Sequence, residues 1–150
     1  MKTVFAAFIP VLIGVMTYVP LKNGISFSAE KTIVVNASVP LQGTHWKLVE
    51  LSGKIIRVNA TSKEMYLELK SDSTVSGNGG CNAFSGHYSL GKDNQIGFGE
   101  MVRTNVLCAG VDYEKNYLDA LAKADHYAIN GDTLTLKNEL VNLAKFTAAK

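Results

Sequence analysis

No segment of this 150-residue sequence concentrates positive charge. The net charge is +2, and Lys47, Lys54, Arg57, Lys63, Lys70, Lys92 and Arg103 are scattered rather than striped. Nucleic-acid binding is not expected, because neutralising phosphates requires cations gathered on one face. Cysteine is scarce as well, with Cys81 and Cys108 the only two. Cys81 lies six residues from His87, and Cys108 has no close Cys or His companion, so the tight ligand pair of a zinc site is missing. Nor is there a phosphate cradle. The glycines of "GNGGCNAFSGHYSL", residues 77–90, lead into a strand-like run, not into a helix with a lysine. Internal repeats and low-complexity segments are also absent, and neither a metal nor a cofactor is expected.

The N-terminus carries the first positive signal. Lys2 precedes the apolar run "TVFAAFIPVLIGVMTYVPL", uncharged until Lys22, with small residues following at Ser26 and Ser28. That order matches an export signal cut before Ala29. The rival is an uncleaved anchor, but the run barely reaches the roughly 20 apolar residues of a span, and Pro10 and Pro20 interrupt or end it. No cysteine stands near the cut to carry a lipid. The expected organisation is a signal over 1–28, a linker over 29–42 and one domain over 43–150. The domain is expected to be periplasmic or secreted, touching a membrane only if the signal is retained. With 47% hydrophobic residues it has enough apolar material for a core. Asn36-Ala-Ser and Asn59-Ala-Thr match glycosylation sequons, relevant only in a host that glycosylates exported chains.

Export changes what the cysteines mean. In an oxidising compartment two cysteines pair, so a Cys81–Cys108 disulfide is expected ahead of free thiols or a thiol nucleophile based by His87 or His126.

Periodicity then places the elements. Trp46 and Leu48 share one face of "THWKLVEL", opposite Lys47. Met65, Leu67 and Leu69 alternate with Tyr66, Glu68 and Lys70. Phe84, Tyr88 and Leu90 oppose Ser85, His87 and Ser89, and Ile96 and Phe98 follow the turn "GKDN". "HYAI", Asn130-Gly131 and "DTLTL" read as a type I′ hairpin, and "LVNLAKF" as a closing strand. One helix interrupts. Asp112 is its expected N-cap, with Glu114 at the positive end of its dipole. Tyr113, Tyr117, Leu121 and Ala124 fall on one buried stripe, with Leu118 beside it, and Asp119 can pair with Lys123 on the wet face. The fold class is α+β: a curved antiparallel sheet or partly open small barrel with one packed helix. Within it the glycine loop reads as structure. Gly77, Gly79 and Gly80 suit a tight corner, Asn82 can bond nearby backbone, and Gly86 marks a bend or a close backbone approach.

Together these motifs resemble the META domain, HslJ-like family. The resemblance rests on Trp46-x-Leu48, on Gly77-x-x-Gly80-Cys81-Asn82-x-x-x-Gly86-x-Tyr88 and on Thr104-x-x-x-Cys108. It continues through Glu114-x-x-Tyr117-x-x-Ala120-Leu121 and Tyr127-x-Ile129-x-Gly131-Asp132-x-Leu134-x-Leu136, over roughly residues 43–147. It implies a compact, partly open barrel with a helix packed on it. It also implies a link to heat shock and novobiocin tolerance in bacteria, and to virulence in a trypanosomatid relative. The family's fold resembles a secretion-system pilot protein that holds lipid in its barrel. No catalytic set belongs to the family, so Cys81, Cys108, Gly77, Gly80, Asn82 and Gly86 transfer as structural residues.

The functional expectation is a non-enzymatic, monomeric envelope protein that binds a partner or an apolar, lipid-like ligand. Trp46, Phe84, Tyr88, Phe98, Tyr113 and Tyr117 are the candidate ligand-lining residues, each of which can equally fill the core. The alternatives are an enzyme using a thiol or the carboxylates Glu100 and Asp112, and a docking or inhibitory module that offers a strand edge.

Overall fold

A computed structural model describes residues 38–57, 63–108 and 113–149, all within a unit that runs from Val35 to Lys150. The signal segment, the run "TIVV", Asn36, Asn59 and the Asp112 cap lie outside the described residues. The strands are β1 (His45–Leu51), β2 (Lys54–Ile55), β3 (Met65–Leu69), β4 (Thr74–Gly79), β5 (Ala83–Leu90), β6 (Ile96–Phe98) and β7 (Val102–Arg103). The helix α1 (Tyr113–Lys123) follows, and then β8 (His126–Asn130), β9 (Thr133–Asn138) and β10 (Val141–Ala148).

All pairings are antiparallel, in the order β6-β5-β4-β3-β1-β10-β9-β8, with β2 beside β1 and β7 beside β5. The last strand, β10, pairs with the first, β1, which curls the sheet round. Its two ends nearly meet. The Ile96 amide donates to the Asp125 carbonyl and the Tyr127 amide to the Asn94 carbonyl, both at 2.9 Å. The result is an antiparallel sheet nearly closed into a barrel with one helix, as the alternation implied.

Alternation also decides what the barrel holds. The inward residues Trp46, Leu48, Leu67, Leu69, Val75, Leu134, Leu136 and Phe146 meet Tyr117 and Leu121 of α1, and each of the ten is at most 1% exposed. Burying one such leucine contributes about 2 kcal/mol. Tyr117 is the helix's main anchor. Its ring lies edge-on to Phe84 at 5.6 Å and 6.0 Å from Phe146, and its hydroxyl donates to the Tyr66 carbonyl at 3.1 Å. Burial, with Tyr66 nearby, pushes its hydroxyl pKa well above 10.

The described end of the expected linker, with the first residues of the domain, is tied to the strands: the Val39 amide donates to the Gly131 carbonyl at 3.0 Å. Leu41 is buried, the Trp46 indole N–H donates to its carbonyl at 2.9 Å, and the Gly43 amide donates to the Leu69 carbonyl at 2.8 Å.

Local expectations change in four places. Tyr113 is 44% exposed, not buried. The barrel-facing place in the first helical turn belongs to Glu114, because Asn82 offers it N–H donors. Leu90, at the end of β5, is exposed as well. Asp119 pairs with Lys115 at 2.7 Å instead of Lys123. In the β8–β9 hairpin Asn130 pairs with Thr133, so the loop is Gly131-Asp132. Only Gly131 of the two has positive φ, at 60°, so glycine sits where a type II′ turn places it, not as in type I′.

Candidate functional site

The glycine-rich segment forms the corner between β4 and β5, and its sequence explains its shape. Gly80 sits at φ 97°, a conformation costly for residues with a Cβ. A Cβ on Gly77 would run into the Tyr66 carbonyl and the Phe84 ring, and one on Gly79 would come within 2.6 Å of Glu114 Cγ. Gly86 lets the Glu100 carbonyl approach β5, the close approach its place in a strand suggested. Asn78 Oδ1 accepts from the Gly80 amide at 2.8 Å and stiffens the turn.

Asn82, 4% exposed, is the hub. Its Oδ1 accepts from the Thr104 hydroxyl and the Val106 amide, both at 2.7 Å. Its Nδ2 donates to the Val106 carbonyl at 3.1 Å and to the Glu114 carboxylate at 3.1 and 3.2 Å. The Asn82 amide donates to Glu114 Oε2 at 2.9 Å, and Arg103 closes the group with a 2.9 Å bond to Glu114 Oε1. The Cys81–Cys108 disulfide fastens the far end of the same segment. Residues 104–108, which belong to no strand or helix, are therefore pinned at both ends. Yet Val106 is 60% and Leu107 97% exposed. Beside them Cys81, Asn82, Arg103, Asn105, Cys108, Glu114 and Lys115 complete the lining of an open cleft of about 260 Å³.

The six candidate lining residues fall in different settings. Trp46, Phe84, Tyr88 and Tyr117 are at most 5% exposed and part of the core cluster, Phe98 is half-buried against it, and Tyr113 faces water. None of the six lines the open clefts beside Gln95 and His126, at residues 105–108, beside Asn116 and Asp119, or beside His87 and Glu100. Of the residues considered for acid, base or thiol chemistry, Glu100 and His87 are exposed, and His126 bonds Asp125 at 2.9 Å. Asp112 is outside the description, and both sulfurs are held in the disulfide. Among the described residues no group of three His, Cys, Asp or Glu is placed to hold a metal.

One polar cluster escaped the sequence reading. On the outer wall His45 Nδ1 lies 2.6 Å from Glu68 and Nε2 2.9 Å from Glu64, while the ring stacks on Tyr66 at 4.3 Å. Lys47 pairs with Glu64 at 2.8 Å. Burial lowers the His45 pKa, but the bonds from Glu68 and Glu64 outweigh it, and the net shift is upward from 6.5. Glu64 is lowered, first by its bond to Lys47 and then by His45. The register His45↔Glu68 across β1 and β3 was the missing signal, since nothing in the spacing of 23 residues displays it.

The family model described as META domain matches residues 39–150. Among curated proteins none matches the chain. An NMR structure of a protein from Burkholderia xenovorans is similar at 25% identity and a TM-score of 0.59, covering 73% of this chain and 84% of that one. A second NMR structure is similar at 19% identity and a TM-score of 0.56, covering 73% and 95% respectively.

Proposed function

The chain belongs to the META domain family, and on that premise we propose that it is a non-enzymatic exported domain that binds through its outer surface and supports cell-envelope stress or antibiotic tolerance. The observation that carries this reading is the filled interior. Trp46, Phe84, Tyr117 and Phe146 occupy the space an apolar ligand would need, and burial this complete leaves recognition to the rim and walls. The disulfide supports an oxidising, exported location, because a reducing compartment would not keep it. It also takes both thiols out of nucleophilic chemistry.

The test is the intact mass of the protein recovered from the cell envelope, measured natively and then denatured with alkylation but no reductant. The expected result is a start near Ala29, a mass two hydrogens light and a native form free of adducts. A lipid-sized native adduct would overturn the surface reading in favour of an interior ligand. Two alkylated thiols would reopen the thiol-enzyme reading. Survival of cells lacking the protein under heat or novobiocin tests the physiological half, and unchanged survival would refute it.

A further inference from the structure

Of the large hydrophobic residues exposed among the described residues, six lie along or beside α1: Val106, Leu107 and Leu140 on loops, Ile55 and Val141 at strand ends, and Tyr113 at the start of the helix. Their placement follows from contacts along the helix. At its first turn, Val106 and Leu107 line the cleft shared with Glu114 and Lys115, and Tyr113 is the first helical residue. Beside its middle, Ser52 of the β1–β2 turn lines a cleft with Asn116, Asp119, Ala120 and Lys123, and Ile55 follows in β2. At its end, Asn138 Nδ2 donates to the Lys123 carbonyl at 2.8 Å, and Leu140 and Val141 form the adjoining β9–β10 tip. Leu107 and Leu140 are both 97% exposed.

These side chains are held out rather than left loose. The Asn82 bonds and the disulfide fix the segment that carries Leu107. The Asn138 bond and the Glu139 amide, which donates to the Asp125 carboxylate, fix the one that carries Leu140. Cations stand among them: Lys54 next to Ile55, Lys63 bonded through its amide to the Gly80 carbonyl, Lys123 at the helix end and Lys137 before the β9–β10 tip. None of the four takes part in an ion pair among the described residues. The nearby carboxylates of Glu114 and Asp119 are engaged by Arg103 and Lys115, which leaves Glu139 and Asp125, the latter bonded to His126 and to the Glu139 amide, as the acidic groups at the tip.

We propose that this helix-covered rim docks on an anionic lipid surface, with Leu107 and Leu140 entering the interface and the lysines meeting the headgroups. The inference deepens the outer-surface reading and rests on it. A protein partner would ask for a contiguous apolar core depleted of charge. Here single apolar side chains on separate segments are interspersed with lysines. A bilayer interface accepts dispersed apolar points, and anionic headgroups reward the cations.

The experiment is hydrogen exchange of the full chain, alone and with vesicles of phosphatidylcholine or of phosphatidylcholine mixed with phosphatidylglycerol. It reads segments 104–108 and 139–142, so it reports docking of the rim whether or not the N-terminus also anchors. On the anionic vesicles exchange in both segments is expected to slow at least about threefold, and screening by high salt to reverse it. Phosphatidylcholine alone should leave it unchanged. A Leu107→Ser/Leu140→Ser variant with an unaltered melt should lose the protection. Lys63→Glu/Lys123→Glu provides a second test that does not touch the apolar tips, and should lose it too. Equal rates with and without anionic vesicles, equal protection on both vesicle types, or variants protected like the parent would each overturn the proposal. The interior-ligand question is read separately from the native mass, so the two failures stay distinct.

Discussion

Replacing Asn82 with alanine tests the corner most directly. The change removes two acceptor bonds on Oδ1, one donor bond to the Val106 carbonyl and one shared, charge-assisted bond to Glu114. Neutral bonds contribute about 1 kcal/mol each and a charge-assisted one about 2 kcal/mol, which places the ceiling near 5 kcal/mol. Water can reach the freed groups of the exposed segment 104–108, so the expected loss is about 3 kcal/mol. For a domain of this size that lowers Tm by about 12 °C. The assay is thermal melting of the oxidised protein followed by circular dichroism, with Asn105→Ala as control, because Asn105 is an exposed residue of the same segment. Asn82→Asp should be at least as damaging, since it sets a second carboxylate where Nδ2 now meets Glu114. A loss in Asn82→Ala no larger than in Asn105→Ala would refute the view that this side chain organises the corner.

Three further outcomes are expected. Opening the disulfide in Cys81→Ser/Cys108→Ser, at a sequence separation of 27, should cost about 3.5 kcal/mol in denaturant melts. The loss should be smaller in an Asn82→Ala background, because both features hold one segment; full additivity would contradict that. His45 titrates above 6.5 in the fold, so its ion pairs stabilise fully below the unfolded value and fade as pH rises through the folded one. The stability gap between the parent and His45→Gln should therefore narrow across that window, and an NMR titration placing His45 below 6.5 would contradict the expectation. Gly77→Ala should cost about 3 kcal/mol by driving Cβ into Tyr66 and Phe84. Gly131→Ala, in open space at φ 60°, should cost only about 1 kcal/mol. Equal losses in urea melts would show that Tyr66 and Phe84 give way, and would refute the crowding at Gly77.

Much of the barrel was legible in the chain because strand periodicity is a local property. Met65, Leu67 and Leu69 alternate with polar neighbours, and one face must be buried whatever partner is found, so the half-buried strand followed directly. The Gly-rich corner was legible for a similar reason: φ 97° at Gly80 and the crowding at Gly77 are needs of a backbone segment a few residues long. The cysteine pair was legible from number, together with the export expected from the N-terminus. Elsewhere local rules were overruled. Helical spacing gave Tyr113 the same face as Tyr117, but spacing does not say where the barrel ends. In the first turn Glu114 turns inward because Asn82, 32 residues away, has N–H groups to offer.

By itself, then, the sequence determined the class of fold, the strand faces, the helix with its Tyr117 anchor, the structural corner and the pairing of Cys81 with Cys108. Only the tertiary structure decided that Trp46, Phe84, Tyr88 and Tyr117 fill the interior, that Asn82 and Glu114 hold residues 104–108 outward, that His45 lies between Glu64 and Glu68, and that exposed apolar side chains lie along α1. The physical reason is range. Alternation, turn chemistry and cysteine count act through neighbours a few bonds apart, whereas a cluster or a rim depends on strand register and barrel closure. Those are set by pairings such as Leu51↔Ala144, between residues near opposite ends of the domain.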